Sequence, residues 1–315
     1  MSQLGTIEVL GNQHRQDFEQ ALKRVLETQV AEQTFAEIID GLPTHDSYSE
    51  FHWPQDGHPA TQHHELCPAT SSILRNHSRL QGIPSKIART TGGVMPPDCS
   101  KWIDAPRDMN RWNSFRHPSA FCHAFYTDLE QYPNGVADVA GYWAEAKIFG
   151  GVLVFDRGES ETECKELYLH AGRWGGPYTL FPLTTDQFQS VIDFLLSSPL
   201  PSESQNGPFP LRASSKNRWR WDDWDAIARY HIFRDKYERK YQSTKPPPDW
   251  RSSVDWPEIA DDLYLIDAMH ENWNGNPVDK DEIRAALERL KQITPSSPCW
   301  ENRETRHSWS NSLFE

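Results

Sequence analysis

The chain has 315 residues, with 45 Asp or Glu residues against 32 Lys or Arg, so its formal net charge at pH 7 is −13. This balance excludes a protein that coats DNA with a uniformly basic surface. Hydrophobic residues make up 37% of the chain, which predicts long loops or tails beside a real core. No apolar run has the length of a membrane helix and the first residues contain no signal core, so we expect a cytoplasmic protein without membrane contact.

The cysteines predict a reducing environment. There are five of them, widely spaced, in a chain much longer than a disulfide-rich scaffold. Free thiols therefore fit better than a set of disulfide bonds.

The N-terminal third begins with one clear periodic element. Apolar residues at helical spacing predict a helix over residues 16–40, which Gly41 and Pro43 end. Residues 42–66 mix Pro, His and Ser without a period and predict a loop. Residues 67–118 are also irregular, and such a long stretch is typical of a functional or a disordered segment.

The middle of the chain predicts a sheet and a helix. Residues 140–148 alternate between apolar and other side chains and predict a strand, and residues 152–155 are apolar on both faces, as in a central buried strand. Residues 167–170 and 178–181 predict two further short strands. A capping-box pattern at Thr184 then begins a helix that covers them. Strands followed by such a helix predict an α+β core with a mainly antiparallel sheet.

Further helices are predicted towards the C-terminus, over residues 222–241, 257–273 and 279–292. The polar tail beyond Pro295 is expected to fray. The predicted fold class is therefore α+β, with helical N- and C-terminal extensions.

These elements predict four segments within one domain. They are an N-terminal helical segment (1–45), an irregular and locally basic segment (46–118), the α+β core (119–200) and a helical C-terminal extension packed on the core (201–315).

The common loops that bind nucleotide phosphates, the zincin motif, the nucleophile elbow and the Cys-x-x-Cys pair are all absent. We therefore expect no cofactor. A cluster of imidazole and thiol groups leaves a zinc site open, although no second half of a four-ligand set is visible and solvated histidines are the simpler alternative. Its members are His58, His63, His64 and Cys67.

Charged residues beside the apolar strands are the main catalytic candidates, because a buried charge needs a partner. Glu145 lies beside Lys147, and Asp156 and Arg157 end the central strand just before Glu159. One interpretation makes Glu145 or Asp156 the acid/base group and Arg157 the binder of an anionic group. The other is an internal ion pair and a turn.

Two histidines and a tyrosine support this site. His123 opens the sheet region, and His170 shares a strand with Tyr168. Cys122 and His123 are neighbours on a strand and would point to opposite faces, so they do not readily serve each other. A thiolate nucleophile formed by Cys122 or Cys164 with His170 stays open, as does a structural role for all of them.

The segment 216–221 interleaves cations with indole rings, which suits contact with phosphates and bases. Nearby acids offset much of this charge, so a helix that packs through its tryptophans is the alternative. The candidate nucleic-acid or substrate contacts are Arg218, Trp219, Arg220, Trp221 and Arg234.

Three segments resemble a large set of uncharacterised fungal, mainly ascomycete, proteins. They are GYWAEAKIFGGVLVFDRGESETEC (141–164), ELYLH (166–170) and HIFRDKYERK (231–240), and the resemblance spans roughly residues 121–240. Fungal proteins of this kind and size often belong to specialised-metabolite pathways. One such group makes arginine-containing cyclodipeptides from aminoacyl-tRNA, but its catalytic motif has no match at positions of this chain.

We therefore predict an enzyme that acts on a small organic substrate by acid/base chemistry or by acyl or aminoacyl transfer. Formation of an arginine-containing cyclodipeptide from aminoacyl-tRNA is its most specific version. A cofactor-independent cyclase or isomerase with an aromatic pocket is one alternative. The other is a non-catalytic module that binds a protein through Trp219, Trp221 and Trp224.

Overall fold

A computed structural model describes residues 11–52, 58–67, 70, 119–196, 207–235, 238–240, 243–245 and 252–314. The chain forms two compact units. Unit 1 comprises Met1–Gly150 and Thr185–Leu211, and unit 2 comprises Gly151–Thr184 and Arg212–Glu315.

Unit 1 contains the helices α1 (Asn12–Leu26), α2 (Gln29–Asp40), α3 (His45–Phe51), α4 (Val136–Phe149) and α5 (Thr185–Leu196). Helix α1 packs against α5, and α2 packs against α4. The Arg24 guanidinium on α1 donates to the backbone carbonyl of Phe194 on α5 at 2.8 Å.

The single helix predicted over residues 16–40 is wrong because Thr28 divides it. The Thr28 hydroxyl oxygen accepts from the backbone N–H of Ala31 at 3.3 Å and caps the start of α2. The same hydroxyl donates to the carbonyl of Val25 at 2.7 Å, at the end of α1. Gly41 ends α2 as predicted, in the left-handed conformation with φ of 86°.

The loop predicted over residues 42–66 is also partly wrong. Helix α3 and a 3₁₀ helix at Pro59–Gln62 lie within it. Two short elements of 7 and 4 residues show no apolar period that could be read from sequence. Nearly all of the irregular stretch predicted over residues 67–118 lies outside the described residues.

The strand predicted over residues 140–148 is wrong, because these residues belong to α4. Buried residues occur almost all round this helix, so the apolar period of 3.6 residues is blurred and an alternating pattern emerges by chance. Its alanines favour a helix. Gly150 ends it at a φ of 98°, and a Cβ there would lie 1.9 Å from the carbonyl oxygen of Leu211.

Unit 2 is organised around an antiparallel sheet of the strands β1 (Val152–Asp156), β2 (Leu167–His170), β3 (Leu180–Pro182) and β4 (Ile232–Phe233). The strand order is β3-β2-β1-β4, so β1 is a central strand as predicted. Val154 lies opposite Tyr168, and Phe155 lies opposite Phe233.

The helix predicted over residues 222–241 is correct only at its start. Helix α6 (Asp223–Ala228) begins at Asp222, whose carboxylate accepts from the backbone N–H groups of Trp224 and Asp225 at 3.1 Å. The backbone of His231 then adopts a left-handed φ of 55°, and the next two residues pair with β1. Tertiary pairing therefore overrides the helical spacing of the sequence.

The C-terminal part of unit 2 contains α7 (Glu258–Trp273), α8 (Lys280–Leu290) and α9 (Arg303–Phe314). The first two confirm predicted helices. The expectation of a frayed tail is wrong for residues 303–314, because α9 contacts α8 and the Trp309 ring packs on the apolar core between α7 and α8.

The protein has an α+β fold with an antiparallel sheet and helices towards both ends of the chain, as predicted. The four predicted sequence segments remain a prediction about domain boundaries. Within the described ranges, no helix combines the length and the apolar character that crossing a bilayer requires.

Candidate active site

The structure divides the predicted catalytic residues between the two units. Unit 1 holds His123 and Glu145, and unit 2 holds Asp156, Arg157, Tyr168 and His170.

The two predicted residues of unit 1 lie on different elements. Glu145 is half-buried on α4, so the predicted strand edge shared with Lys147 does not exist, and residues two apart on a helix do not face each other. His123 is buried in a turn, where its Nδ1 accepts from the backbone N–H of Phe125 at 3.2 Å. That bond places the proton of a neutral ring on Nε2.

Three predicted residues of unit 2 share one face of the sheet. The register pairs Val152 with His170, and the same alternation places Asp156 and Tyr168 on that face. Glu166 lies opposite Asp156, whose backbone N–H donates to the Glu166 carbonyl at 2.9 Å. Sequence reasoning missed Glu166, although it lies two residues before Tyr168 and therefore on the same face.

Tyr168 connects this face to an indole ring. Its hydroxyl donates to Oε2 of Glu166 at 2.7 Å and accepts from Nε1 of Trp221 at 3.2 Å. Burial, with the Glu166 hydrogen bond, raises the pKa of Tyr168 well above its usual value. The phenol therefore remains protonated and is suited to donate a hydrogen bond rather than to act as a base.

The Arg157 side chain is engaged in hydrogen bonds to backbone carbonyl groups. Its guanidinium donates to the carbonyls of Phe233 at 3.1 Å, Arg234 at 2.6 Å and Glu163 at 3.4 Å. These bonds fasten the end of β1 to the chain at the end of β4. The predicted binding of an anionic group by Arg157 gains no support from this arrangement.

Two of the predicted nucleic-acid contacts are buried. Arg218 pairs with Asp261 at 2.8 Å, and Arg220 donates to the carbonyls of Ser214 and Asn217 at 2.8 and 2.9 Å. Burial lowers the pKa of Arg220 to about 10. Both guanidinium groups are thus engaged by acceptors of the protein itself.

The remaining predicted contacts are more exposed. The Trp219 side chain is 48% exposed and its backbone is left-handed, with φ of 58°. Trp221 is half-buried, and Arg234 pairs with Glu238 at 2.7 Å. The prediction that this segment contacts nucleic acid therefore depends on fewer cations than the sequence suggests.

The structure does not pair Cys122 with His170, which the sequence had left open. Cys122 is buried in unit 1, where its Sγ lies 4.0 Å from Nε2 of His52, whereas His170 lies in unit 2. Burial raises the pKa of the Cys122 thiol to about 12, so the reactive thiolate is disfavoured. Cys164 is exposed while His170 is fully buried.

One group of buried polar side chains lies in unit 1. We call it the polar centre, and it consists of Glu37 on α2, Thr44 and Ser47 at the start of α3, and Lys147 on α4. Ser47 Oγ donates to Oε1 of Glu37 at 2.8 Å, and the Lys147 ammonium donates to Oε2 of Glu37 at 2.8 Å and to Ser47 Oγ. The serine hydroxyl is therefore held between a carboxylate and an ammonium group.

The Thr44 hydroxyl and the burial of Lys147 both affect the polar centre. The Thr44 hydroxyl lies 3.0 Å from Oε1 of Glu37 and 3.1 Å from Ser47 Oγ, so it fixes both groups. Burial lowers the pKa of the Lys147 ammonium, although Glu37 opposes this shift. A buried lysine of this kind exchanges protons more readily than one in water.

A second set of buried rings follows Ser47 along α3. The Tyr48 ring stacks on His52 and on His58, with centroids 4.6 and 4.1 Å apart. Burial, and then the charge of His52, lowers the pKa of His58 to about 4. Burial raises the pKa of Tyr48 to about 12, so His58 and Tyr48 are both uncharged at neutral pH.

The cluster of imidazole and thiol groups, for which the sequence left a zinc site as one alternative, makes other contacts in the structure. His58 Nδ1 accepts from the backbone N–H of Ala60 at 3.0 Å, and Nε2 of His63 lies 3.0 Å from Oδ2 of Asp40. His64 is exposed, and the backbone N–H of Cys67 donates to the same Asp40 carboxylate. Among the described residues, no three His, Cys, Asp or Glu side chains are arranged to hold a metal ion.

Sequence reasoning missed Glu37, Ser47 and Thr44 because each looks ordinary in its own segment. Their relation is visible only after α2, α3 and α4 pack, since 110 positions separate Glu37 from Lys147. One local signal was available, because a threonine such as Thr44 is typical of the residue just before a helix.

Comparisons with protein-family profiles, curated protein sequences and solved structures gave no match to this chain. The functional argument therefore depends on the geometry of the site.

Proposed function

We propose that this protein is an enzyme that transfers an acyl group to a small organic acceptor, with Ser47 as the residue that carries the acyl group. The observation behind the proposal is the Ser47 hydroxyl, which donates to the Glu37 carboxylate at 2.8 Å and accepts from the Lys147 ammonium. A weak oxygen nucleophile requires an adjacent base, and the Glu37 carboxylate that accepts from Ser47 Oγ supplies it.

The first half-reaction uses these groups as follows. Ser47 Oγ forms a bond to the acyl carbon of an activated ester or thioester, and its proton passes to Glu37. The leaving group departs with the electron pair of its broken bond and takes the proton from Glu37. Lys147 stabilises the negative charge that develops on the oxygens, because its ammonium is already in place and shielded from water.

The second half-reaction regenerates the serine. An amine nitrogen of the acceptor attacks the acyl–Ser47 ester and forms an amide bond. The C–Oγ bond breaks, and the proton that the amine loses returns to Ser47 Oγ through Glu37. The two halves together convert an activated acyl donor and an amine into an amide and the free leaving group.

An aminoacyl ester of tRNA is one activated donor of this class, and the tRNA-dependent formation of a cyclodipeptide remains its most specific version. Contact with several phosphates would make binding weaken steeply with added salt. We expect this version to fail if the chain binds no tRNA at low salt.

The neutral rings beside the polar centre favour a second candidate, a cofactor-independent cyclase or isomerase. The Tyr48 ring stacks on His52 and on His58, and the uncharged Tyr48 and His58 provide acid/base groups in an aromatic setting. In that case replacement of His58, and not of Ser47, should abolish the reaction.

Expression in a heterologous host, followed by untargeted comparison of metabolites, tests the proposal. We expect the native chain to yield a new amide, Ser47→Ala to lower its amount by about 10³-fold, and the folded Ser297→Ala control to retain it. Ser297 is a matched control because it is also buried and also donates to a buried glutamate, Glu258. Continued production by Ser47→Ala, or no product from a folded native chain, would contradict the proposal.

A further inference from the structure

Unit 2 carries a second group of polar and aromatic side chains that the proposed acyl transfer does not use. We call it the acidic–aromatic face, and it consists of Asp156, Glu166, Tyr168, Trp221 and Tyr230. Glu166 is exposed, Asp156, Trp221 and Tyr230 are half-buried, and Tyr168 is buried. The face is therefore reached by solvent at its carboxylates and at two of its rings.

A continuous series of contacts joins these residues. Glu166 accepts from the Tyr168 hydroxyl at 2.7 Å, and that hydroxyl accepts from Nε1 of Trp221 at 3.2 Å. The Trp221 and Tyr230 rings then meet at a centroid distance of 4.2 Å and an interplanar angle of 44°. Two carboxylates thus lie at one end of a surface formed by two aromatic rings at an angle.

The carboxylates of this face lack basic partners. In the part of the chain that the structure describes, no Lys, Arg or His side chain forms an ion pair with Asp156 or Glu166. Neighbouring cations are engaged elsewhere. Lys165 pairs with Glu163 at 3.2 Å, although it also feels the charge of Asp156.

The cations near the aromatic end are also engaged. Arg229 pairs with Asp225 at 3.2 Å and lies over the Trp224 ring at 5.2 Å from its centroid. The local charge of the acidic–aromatic face is therefore negative, although exposed Lys165 acts on Asp156 through its charge.

We propose that the acidic–aromatic face binds a small organic cation, an alkylammonium or a guanidinium group. Carboxylates supply the opposite charge, and the faces of Trp221 and Tyr230 attract weakly hydrated cations through their ring quadrupoles. A hard metal ion requires six or more oxygen ligands, whereas this face offers two carboxylates and aromatic rings. The chemistry favours an organic cation for that reason.

This site does not depend on the proposed acyl transfer, because none of its residues belongs to the polar centre. A cation bound here is a ligand or a substrate portion recognised by unit 2. Loss of cation binding would therefore leave the reaction at Ser47 unchanged. Loss of the reaction at Ser47 would likewise leave cation binding unchanged.

Isothermal titration calorimetry of the full chain tests the site with two matched pairs of probes. Choline is compared with 3,3-dimethyl-1-butanol, its uncharged isostere, and arginine is compared with citrulline. We expect at least one cation to bind with about tenfold or greater preference over its neutral counterpart, and the affinity to fall with added salt.

Variants locate the binding. Glu166→Gln, at an exposed position that leaves the fold intact, should weaken binding of the cation about tenfold, and Tyr230→Leu should weaken it about threefold. Glu159→Gln is the matched control, since Glu159 is an exposed acid outside the face, and it should bind as the native chain does. Equal binding of charged and neutral probes, no binding of either cation at millimolar concentration, or unchanged binding by Glu166→Gln would overturn the proposal.

Discussion

Each unit contains a buried serine that donates a hydrogen bond to a buried glutamate. In unit 1 Ser47 Oγ lies 2.8 Å from Glu37, and in unit 2 Ser297 Oγ lies 2.5 Å from Glu258. The cations differ. Lys147 bonds directly to Ser47 Oγ, whereas Arg218 and Arg220 act on Glu258 only through their charge.

This difference separates a reactive arrangement from a structural one. Burial raises the pKa of Glu258, and the two arginines oppose this shift without exchanging a proton, because a guanidinium stays charged. Burial lowers the pKa of Lys147 while Glu37 opposes this shift, and the Lys147 ammonium donates directly to the serine oxygen. The two serine–glutamate pairs therefore differ in chemistry because the cations beside them differ.

The largest effect should follow from breaking the pair in unit 1. Lys147→Met leaves Glu37 buried without its cation, and we expect a loss of about 3–5 kcal/mol in the free energy of unfolding. The double variant Glu37→Met with Lys147→Met should recover most of it, because an apolar pair carries no buried charge. Urea unfolding measures both, and a loss below about 1 kcal/mol for Lys147→Met would contradict the contacts described here.

The corresponding change in unit 2 should affect stability alone. Asp261 pairs with Arg218 and with Arg289, each at 2.8 Å. Asp261→Asn should lower the free energy of unfolding by about 3 kcal/mol, since it leaves a buried arginine without its counter-charge. Reaction at Ser47, measured at a temperature where the variant is folded, should keep its native rate, and a slower reaction would contradict a purely structural role for Asp261.

A smaller effect is expected at Thr44, which has no equivalent beside Ser297. Thr44→Val removes the hydroxyl that contacts both Glu37 and Ser47. The expected cost is about 1–2 kcal/mol in the free energy of unfolding. Thr44→Ser keeps the hydroxyl and lacks only the methyl group, so it serves as the control, and a loss in Thr44→Val no larger than in Thr44→Ser would contradict a role for the hydroxyl.

The smallest effect concerns pH and the rings beside the polar centre. The pKa of His58 is lowered to about 4 in the folded chain from the usual 6.5, so the unfolded chain binds a proton more readily. The stability that His58 contributes is complete above pH 6.5 and is lost as the pH falls towards 4. His58→Asn can keep the cap at Ala60 without titrating, and its unfolding midpoint should fall less than that of the native chain between pH 7 and pH 5. An equal fall in both would show that other groups control this dependence.

Strands β1, β2 and β3 of unit 2 could be predicted from sequence because the central strand is apolar on both faces and turns flank the short strands, whereas β4 lies in a segment that predicted a helix. Asp156, Tyr168 and His170 share a face, as strand alternation dictates. Helix α4 could not be predicted in this way. Its burial on most sides removes the 3.6-residue period and leaves an alternating pattern, although its four alanines favour a helix.

The polar centre was beyond sequence reasoning for a different reason. Glu37 lies among apolar residues of α2, and its partner Lys147 lies 110 positions away on a helix that the sequence suggested to be a strand. Long-range packing alone brings them together. The segment around Arg218 and Arg220 led to a different error. Its alternation of cations and indole rings predicts exposed cations, but the fold buries both guanidinium groups.

The central claim is that Ser47 is a nucleophile, and site mapping after reaction with a fluorophosphonate tests it most directly. The serine oxygen displaces fluoride from phosphorus, so peptide mass spectrometry of the treated chain identifies the residue that reacts. The account predicts a phosphonyl group on Ser47, formed about 100-fold faster than at Ser297, lost in Ser47→Ala and retained in Ser297→Ala. Modification of Ser47 no faster than of Ser297, or none at Ser47 in the folded chain, would contradict it.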